Sequence, residues 1–248
     1  MLDKALFNSE VTLHSYTSRV WRMVETQETA ATLNIVDTME EQALLEELLE
    51  GVKPPYRDGT QGMHYLFKTA FRYPPLKYGS RFGTRLMPSF FYASEKPITA
   101  LAETAYYRFV FLSDMRQRYE KEIDSSHSMF CASVNASRCL DLTSLDYQLV
   151  RKQLIDPVNY QFCQAVGDWA INDQAAQLIR AESARLVSTC NVAIADPKVI
   201  RSQMPTQIQS WLCRSSMDVI SFSSRHASKI HNFHFHDFCV NGILPRPA

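Results

Sequence analysis

The sequence is 248 residues long, 46% hydrophobic and 21% charged, an ordinary globular balance with enough chain to bury a sizeable core. Its 26 basic side chains offset its 26 acidic ones, so no net field draws in nucleic acid or an anionic membrane, although a neutral total is compatible with a local basic pocket. No apolar run approaches the ~20 residues needed to span a bilayer, and the first residues lack the charged, apolar, then small order of a signal peptide, so a cytoplasmic location is expected.

In chain order, Val20–Val24 (VWRMV) reads as a short buried strand. Thr38 with Glu41 forms a capping box, Leu44, Leu45, Leu48 and Leu49 make a helical stripe, and Gly51 followed by Pro54 and Pro55 supplies the stop. The glutamates of this helix form a solvated face. Residues Tyr56–Thr69 read as a loop, and Pro74 and Pro75 interrupt regular structure before KYGSRFG. Ser89–Ala93 (SFFYA) is strand-like, and Ser94, Glu95 and Pro97 announce a helix with Ile98, Leu101, Ala102, Ala105 and Phe109 on its apolar face. Met129–Val134 and Cys139–Leu142 read as strands around a turn at Asn135–Ser137. Tyr160 to about Ile179 reads as a helix, Arg185–Ala195 is β-rich, and alternation at Phe233, Phe235 and Cys239 suggests late strands. Strands and helices interleave without a βαβ rhythm, which predicts an α+β fold with mixed β-sheets flanked by helices, in one domain spanning 1–248.

Several chemistries lack their motifs. There is no G-x-G-x-x-G and no G-x-x-x-x-G-K-[ST], and with only 7 glycines a nucleotide would have to be held by arginine side chains rather than by a glycine-rich loop. G-x-S-x-G, H-E-x-x-H and C-x-x-C are missing as well. The 6 cysteines are scattered through the second half, several inside apolar segments, and read as reduced core thiols. His231, His234, His236 and Asp237 form one other cluster. On a strand His234 and His236 share a face and offer a zinc site, but surface histidines near a β edge are the commoner outcome, and no metal is expected.

The segment Tyr78–Glu103 concentrates the remaining polar chemistry. Arg81 lies in a Gly79–Gly83 turn, where backbone can approach a ligand closely. Tyr92 ends an aromatic strand, and Glu103 sits about two turns into the next helix beside Thr99, Tyr106 and Tyr107. A strand–turn–helix unit can bring these three groups into one cleft. The same residues are also compatible with purely structural duties: Arg81 capping a carbonyl, Tyr92 in the core, Glu103 paired with Arg108.

Gly79-Ser80-Arg81-Phe82, then Phe91-Tyr92-Ala93-Ser94, then Ala100-Leu101-Ala102-Glu103 resemble, in order and spacing, the RES domain, named for its Arg, Glu and Ser. RCLDLT at Arg138–Thr143 and CQAVGDWA at Cys163–Ala170 are similar to two later family motifs, and Phe71-Arg72-Tyr73 resembles its Arg-Tyr pair. The motif serine falls at Ser183, with Ser188 close by as the alternative. The similarity runs over about residues 20–200, with a helical region at 33–51 and the β-rich tail as additions. Phe82-Gly83 stands where many members have Trp-Asn.

The resemblance implies a fold like that of ADP-ribosyltransferases and an enzyme that destroys NAD⁺ by phosphorolysis or hydrolysis, as the toxin of a toxin–antitoxin pair. NAD⁺ would then be a substrate, with inorganic phosphate as a co-substrate and no cofactor. The expected partners are an antitoxin protein and a second copy of the chain, with neither nucleic acid nor membrane. Glu103 would stabilise the ribose cation, Arg81 pair with the pyrophosphate, and Tyr92 contact nicotinamide or ribose. Ser183 would position the ribose or phosphate, and Arg72 and Tyr73 bind the attacking phosphate. ADP-ribosyl transfer to another acceptor, and an inactive NAD-binding module, are the competing readings.

Overall fold

The computed structural model describes residues 11–26, 36–75, 77–117, 121–225 and 227–247, so the start of the expected helical region, 33–35, lies outside the described residues. Among the described residues there are eight strands: β1 (His14–Glu25), β2 (Phe91–Ser94), β3 (Ile123–Asp141), β4 (Leu178–Glu182), β5 (Cys190–Ile194), β6 (Gln207–Ser215), β7 (Val219–Ser223) and β8 (His231–His234). The α-helices are α1 (Met39–Val52), α2 (Tyr65–Lys68), α3 (Pro97–Asp114), α4 (Arg151–Leu154) and α5 (Gln161–Asp168).

The strands form one mixed sheet in the order β1-β2-β5-β4-β3-β6-β7-β8, and β1 also pairs with β3. The first five strands therefore complete a closed circuit of pairings, and β6, β7 and β8 branch from it. Strand β3 is the hinge of this arrangement. One edge takes β1 in a long antiparallel ladder from Tyr16↔Ala136 to Glu25↔His127. Its other edge takes β6 antiparallel over Ile123–Cys131 and β4 parallel at Cys139–Asp141.

Three apolar clusters hold these layers. Phe67, Phe91, Phe130, Leu178 and Ile194 fill one between the β-circuit and the α2 region. Leu101, Phe109, Met129, Ile220 and Phe222 join α3 to β3, β6 and β7. Phe82, Leu140, Val166 and Ile179 pack α5 and the 79–83 loop against the sheet. Burying a side chain such as Phe91 or Ile179 contributes about 1.5–3 kcal/mol.

The α+β class and the principal elements follow the sequence, with several corrections. The expected turn at Asn135–Ser137 is extended backbone inside a single strand, because Asn135 and Ala136 pair with Thr17 and Tyr16; strand pairing outweighs the turn preference of a short polar stretch. The helix expected to reach Ile179 ends far earlier. It turns π-helical over Trp169–Asp173 and gives way to β4, whose Leu178 and Ile179 are fully buried. Strand β6 and strand β7 were not anticipated, and Tyr65–Phe71 is helical rather than loop. Ser94 does not cap α3: it belongs to β2, and its hydroxyl donates to Asn191 Oδ1 at 2.7 Å. The Thr38–Glu41 capping box is present, yet Leu44 and Leu48 of its helix are 57% and 60% exposed, so that stripe faces outward.

Candidate active site

A cavity of about 340 Å³ opens between β1, β2, β5, α3 and the 79–83 loop, within the ~300–1,000 Å³ usual for ligand sites. Arg81, Tyr92 and Glu103 all line it, joined by Arg22, Tyr107, Tyr160 and Asn191.

Glu103 is delivered by α3, whose apolar face (Leu101, Ala102, Ala105, Phe109) is pinned to the sheet, so the neighbouring position faces the cavity. Its Oε1 accepts two hydrogen bonds, from Ser183 Oγ at 2.8 Å and from Asn191 Nδ2 at 2.5 Å. Asn191 is oriented in turn by Ser94. The fixed amide and hydroxyl hold the carboxylate in one rotamer and occupy Oε1, which leaves Oε2 as the oxygen to meet a ligand. Glu103 is not paired with Arg108, which instead reaches Glu25 at 3.4 Å.

Ser183, the residue that follows β4, is buried, and its Oγ accepts the backbone N–H groups of Arg185 and Leu186, both at 3.1 Å. With its acceptor capacity taken, its proton points at Glu103. Ser188 lies away from the carboxylate on an exposed turn with φ +59°.

Tyr92 anchors a loop. Its hydroxyl accepts from the Phe82 N–H at 3.0 Å and shares a 2.8 Å hydrogen bond with Ser80 Oγ, and burial pushes its phenol pKa up to about 12. Arg81 is thereby held at the cavity wall. Arg81 is 9% exposed, and its Nη2 donates to the Leu154 carbonyl at 2.7 Å while Nε has no partner. The carbonyl-capping duty weighed from sequence is thus present, but it leaves the charge uncompensated.

Arg22 escaped the sequence reading because VWRMV looks like a buried strand. Its Nη1 donates to the Tyr92 carbonyl at 2.6 Å and its guanidinium lies 5.0 Å from the Phe91 ring centroid. Burial pulls its pKa down to about 10. A charged residue flanked by apolar ones on a short strand was the available signal. Among the described residues neither Arg22 nor Arg81 forms an ion pair. Arg81 is buried and Arg22 half-buried; cationic groups withdrawn from water without a carboxylate partner are costly, and an anionic ligand would offset that cost.

Arg72 and Tyr73 stand apart from this group. Arg72 is committed to Glu50 at 2.7 Å and to the Pro54 carbonyl at 2.6 Å, with its guanidinium 4.1 Å from the Tyr56 ring centroid. Tyr73 is 43% exposed, and neither residue lines the cavity. The Gly79–Gly83 turn that carries Arg81 to the cavity wall is itself tightly packed: Gly79 has φ +81° and a side chain there would meet the Gly83 carbonyl. His234 and His236 stack at 5.4 Å near the surface, and no group of three metal-ligating side chains occurs among the described residues. All six cysteines are free. Among the described residues no helix is long and apolar enough to cross a membrane.

Comparison with known proteins adds three findings. No curated protein matches the chain significantly. A chain of the crystal structure of the M. tuberculosis MbcT-MbcA toxin-antitoxin complex is similar at 14% identity and a TM-score of 0.47, the match covering 85% of this chain and 93% of that one. The RES domain model matches residues 54–216, which span the Arg81 loop, Tyr92, Glu103 and Ser183. With most of its length inside that match, the chain belongs to the RES-domain family.

Proposed function

We propose that this chain cleaves the bond between nicotinamide and ribose in NAD⁺, as the toxin of a toxin–antitoxin pair. The observation that carries the reading is the cavity's charge pattern: two guanidiniums without an ion pair among the described residues, buried Arg81 and half-buried Arg22, share one pocket with a carboxylate locked by Ser183 and Asn191. A dinucleotide presents matching groups, an anionic pyrophosphate and a ribose that turns cationic as its glycosidic bond breaks.

In this scheme Arg81 pairs with the pyrophosphate, for which a planar guanidinium is better suited than an ammonium. Arg22, on the β1 wall, contacts a second anionic oxygen of the substrate or of an attacking phosphate. As the C–N bond breaks, its electron pair goes to the pyridinium nitrogen and nicotinamide leaves neutral. The positive charge on ribose is met by Glu103 Oε2. The anomeric carbon then bonds to an oxygen of phosphate or of water, and the water route releases one proton. Tyr92 keeps the 80–82 loop, and with it Arg81, in register. No metal or redox cofactor enters this chemistry, because NAD⁺ is consumed rather than reduced. An antitoxin protein that seats over the cavity mouth is the partner this role requires.

The test is incubation of the purified protein with NAD⁺, with and without inorganic phosphate, and identification of products by mass spectrometry. Nicotinamide with ADP-ribose-1″-phosphate supports phosphorolysis, and free ADP-ribose supports hydrolysis. Absence of nicotinamide in both arms refutes the proposal and favours a transferase that needs a macromolecular acceptor or a module that only binds.

A further inference from the structure

The segment carrying Ser183 is fastened to the body of the protein by a side chain with no part in the chemistry above. Arg185 lays its guanidinium on the ring of Tyr106 at 3.6 Å, donates from Nη2 to the Tyr160 hydroxyl at 2.9 Å, and reaches the Pro157 carbonyl from Nη1 at 3.4 Å. Among the described residues it forms no ion pair. Both aromatic contacts are firm. Tyr106 is 3% exposed and donates to the Pro245 carbonyl at 2.7 Å, and buried Tyr160 immediately precedes α5.

The backbone N–H of the same residue is one of the two donors to Ser183 Oγ, and the next residue, Leu186, supplies the other. Ser183 N–H to Thr189 carbonyl at 2.7 Å and Thr189 Oγ1 to Leu186 carbonyl at 2.7 Å close the turn. Leu186 packs against the α3 core and holds the middle of the turn. The tip, Val187, is 82% exposed. The beginning of the turn, beside Ser183, is therefore held from the side-chain direction by Arg185. Tyr106 follows Glu103 on α3 by less than one helical turn, so the clamp ties Ser183's segment to the helix that carries its acceptor.

We propose that Arg185 is a positioning residue: clamped by Tyr106 and Tyr160, it fixes the turn whose amides orient the Ser183 hydroxyl toward Glu103. The proposal rests on the reading of Glu103 as the carboxylate that meets the ribose. Loss of the clamp leaves Glu103 with Asn191 alone and lets the carboxylate leave its productive rotamer. A displacement near 1 Å in such a group costs up to about 10²-fold in rate.

The experiment compares wild type with Arg185→Ala, Arg185→Lys and Tyr160→Phe, the last removing a single hydroxyl and so keeping the fold in any event. Hydrogen exchange of the amides of Arg185 and Leu186 needs no activity; faster exchange in all three variants is expected, and unchanged exchange overturns the clamp. In steady-state NAD⁺ cleavage, kcat is expected to fall by about 10- to 10²-fold in Arg185→Ala with KM moved less than about two-fold, the pattern of a lost transition-state arrangement. Lysine is expected not to rescue, because an ammonium cannot stack and bond both partners as a planar fork does. In a Ser183→Ala background the Arg185→Ala change is expected to add less than about two-fold. A raised KM with intact kcat, or full additivity with Ser183→Ala, refutes the positioning role. A wild-type protein that leaves NAD⁺ intact refutes the proposed activity, while the exchange measurement still decides whether the clamp exists.

Discussion

Replacing Gly167 with alanine probes the tightest contact behind the cavity. A Cβ at this position of α5 would stand 1.8 Å from the Phe82 carbonyl oxygen and 2.7 Å from its carbon, against a floor of about 3.0 Å for real contacts. The helix and the 79–83 loop must therefore part by at least about 1.2 Å, the difference between those two distances. Both neighbours are backbone, so no side chain can swing aside. Alanine inside a helix gains about 1 kcal/mol over glycine, whereas overpacking of a tight core costs about 1–3 kcal/mol and sometimes more. The steric term wins because the overlap is deep. A net loss of about 1–2 kcal/mol corresponds to a fall in melting temperature of roughly 2–8 °C for a chain of this size. The displaced residue adjoins Arg81, so substrate handling should suffer too, by up to about 10²-fold for a shift near 1 Å. Gly51→Ala is the control: nothing lies within 4 Å of its Cβ position in α1, and its melting temperature should hold or rise slightly. Thermal unfolding followed by circular dichroism, with NAD⁺ turnover on the same samples, decides the matter. A Gly167→Ala protein that melts and turns over like wild type would refute the reasoning.

Glu103→Gln keeps an oxygen to accept from Ser183 and Asn191, so the melting temperature should stay within a degree or two while turnover falls by about 10²–10³-fold or more; substantial residual turnover removes Glu103 from the chemistry. Arg81→Met and Arg22→Met should each weaken NAD⁺ binding by about 10- to 10²-fold, the equivalent of one charge-assisted hydrogen bond, without loss of stability; unchanged affinity by calorimetry excludes the anion contact. Burial lowers the pKa of His127 below its ordinary 6.5, so as pH drops past that value the unfolded chain takes up a proton that the folded chain refuses, and stability declines until the folded pKa is reached. Denaturant unfolding at pH 7.5 and 5.5 should show this fall, and His127→Leu should reduce it; an equal pH dependence in both proteins excludes His127 as its source.

The parts of the fold legible in the sequence are those fixed locally. The Thr38–Glu41 box and the Pro97 helix start need no distant partner, and SFFYA is apolar enough to be a strand wherever it packs. What escaped depends on partners far along the chain. Asn135–Ser137 resembles a turn until β1 is laid beside it, and Leu178–Ile179 continues a helical pattern until β3 offers a parallel edge. The site divides the same way. Arg81, Tyr92 and Glu103 lie within one strand–turn–helix unit and carry a family pattern, so they were readable, whereas Arg22 and Asn191 enter from β1 and β5 and join only through sheet pairing. Ser183 and Ser188 are equivalent as letters. They differ only because the turn between them directs two amides at one hydroxyl.

Cys163 turns the neighbourhood of Arg81 into something that can be timed. Its thiol is fully buried, donates to the same Leu154 carbonyl that Arg81 grips, at 3.1 Å, and is shifted upward in pKa by burial. A thiol reagent cannot reach it, nor find it as thiolate, until α5 draws away from the 79–83 loop. The rate of its modification thus becomes a clock for local opening of the anion pocket, separable by peptide mapping from labelling of the half-buried Cys190 and Cys239 and of the buried Cys131, Cys139 and Cys213. A ligand that bridges Arg81 should slow that clock, which gives a reading of occupancy even for a variant that no longer turns anything over.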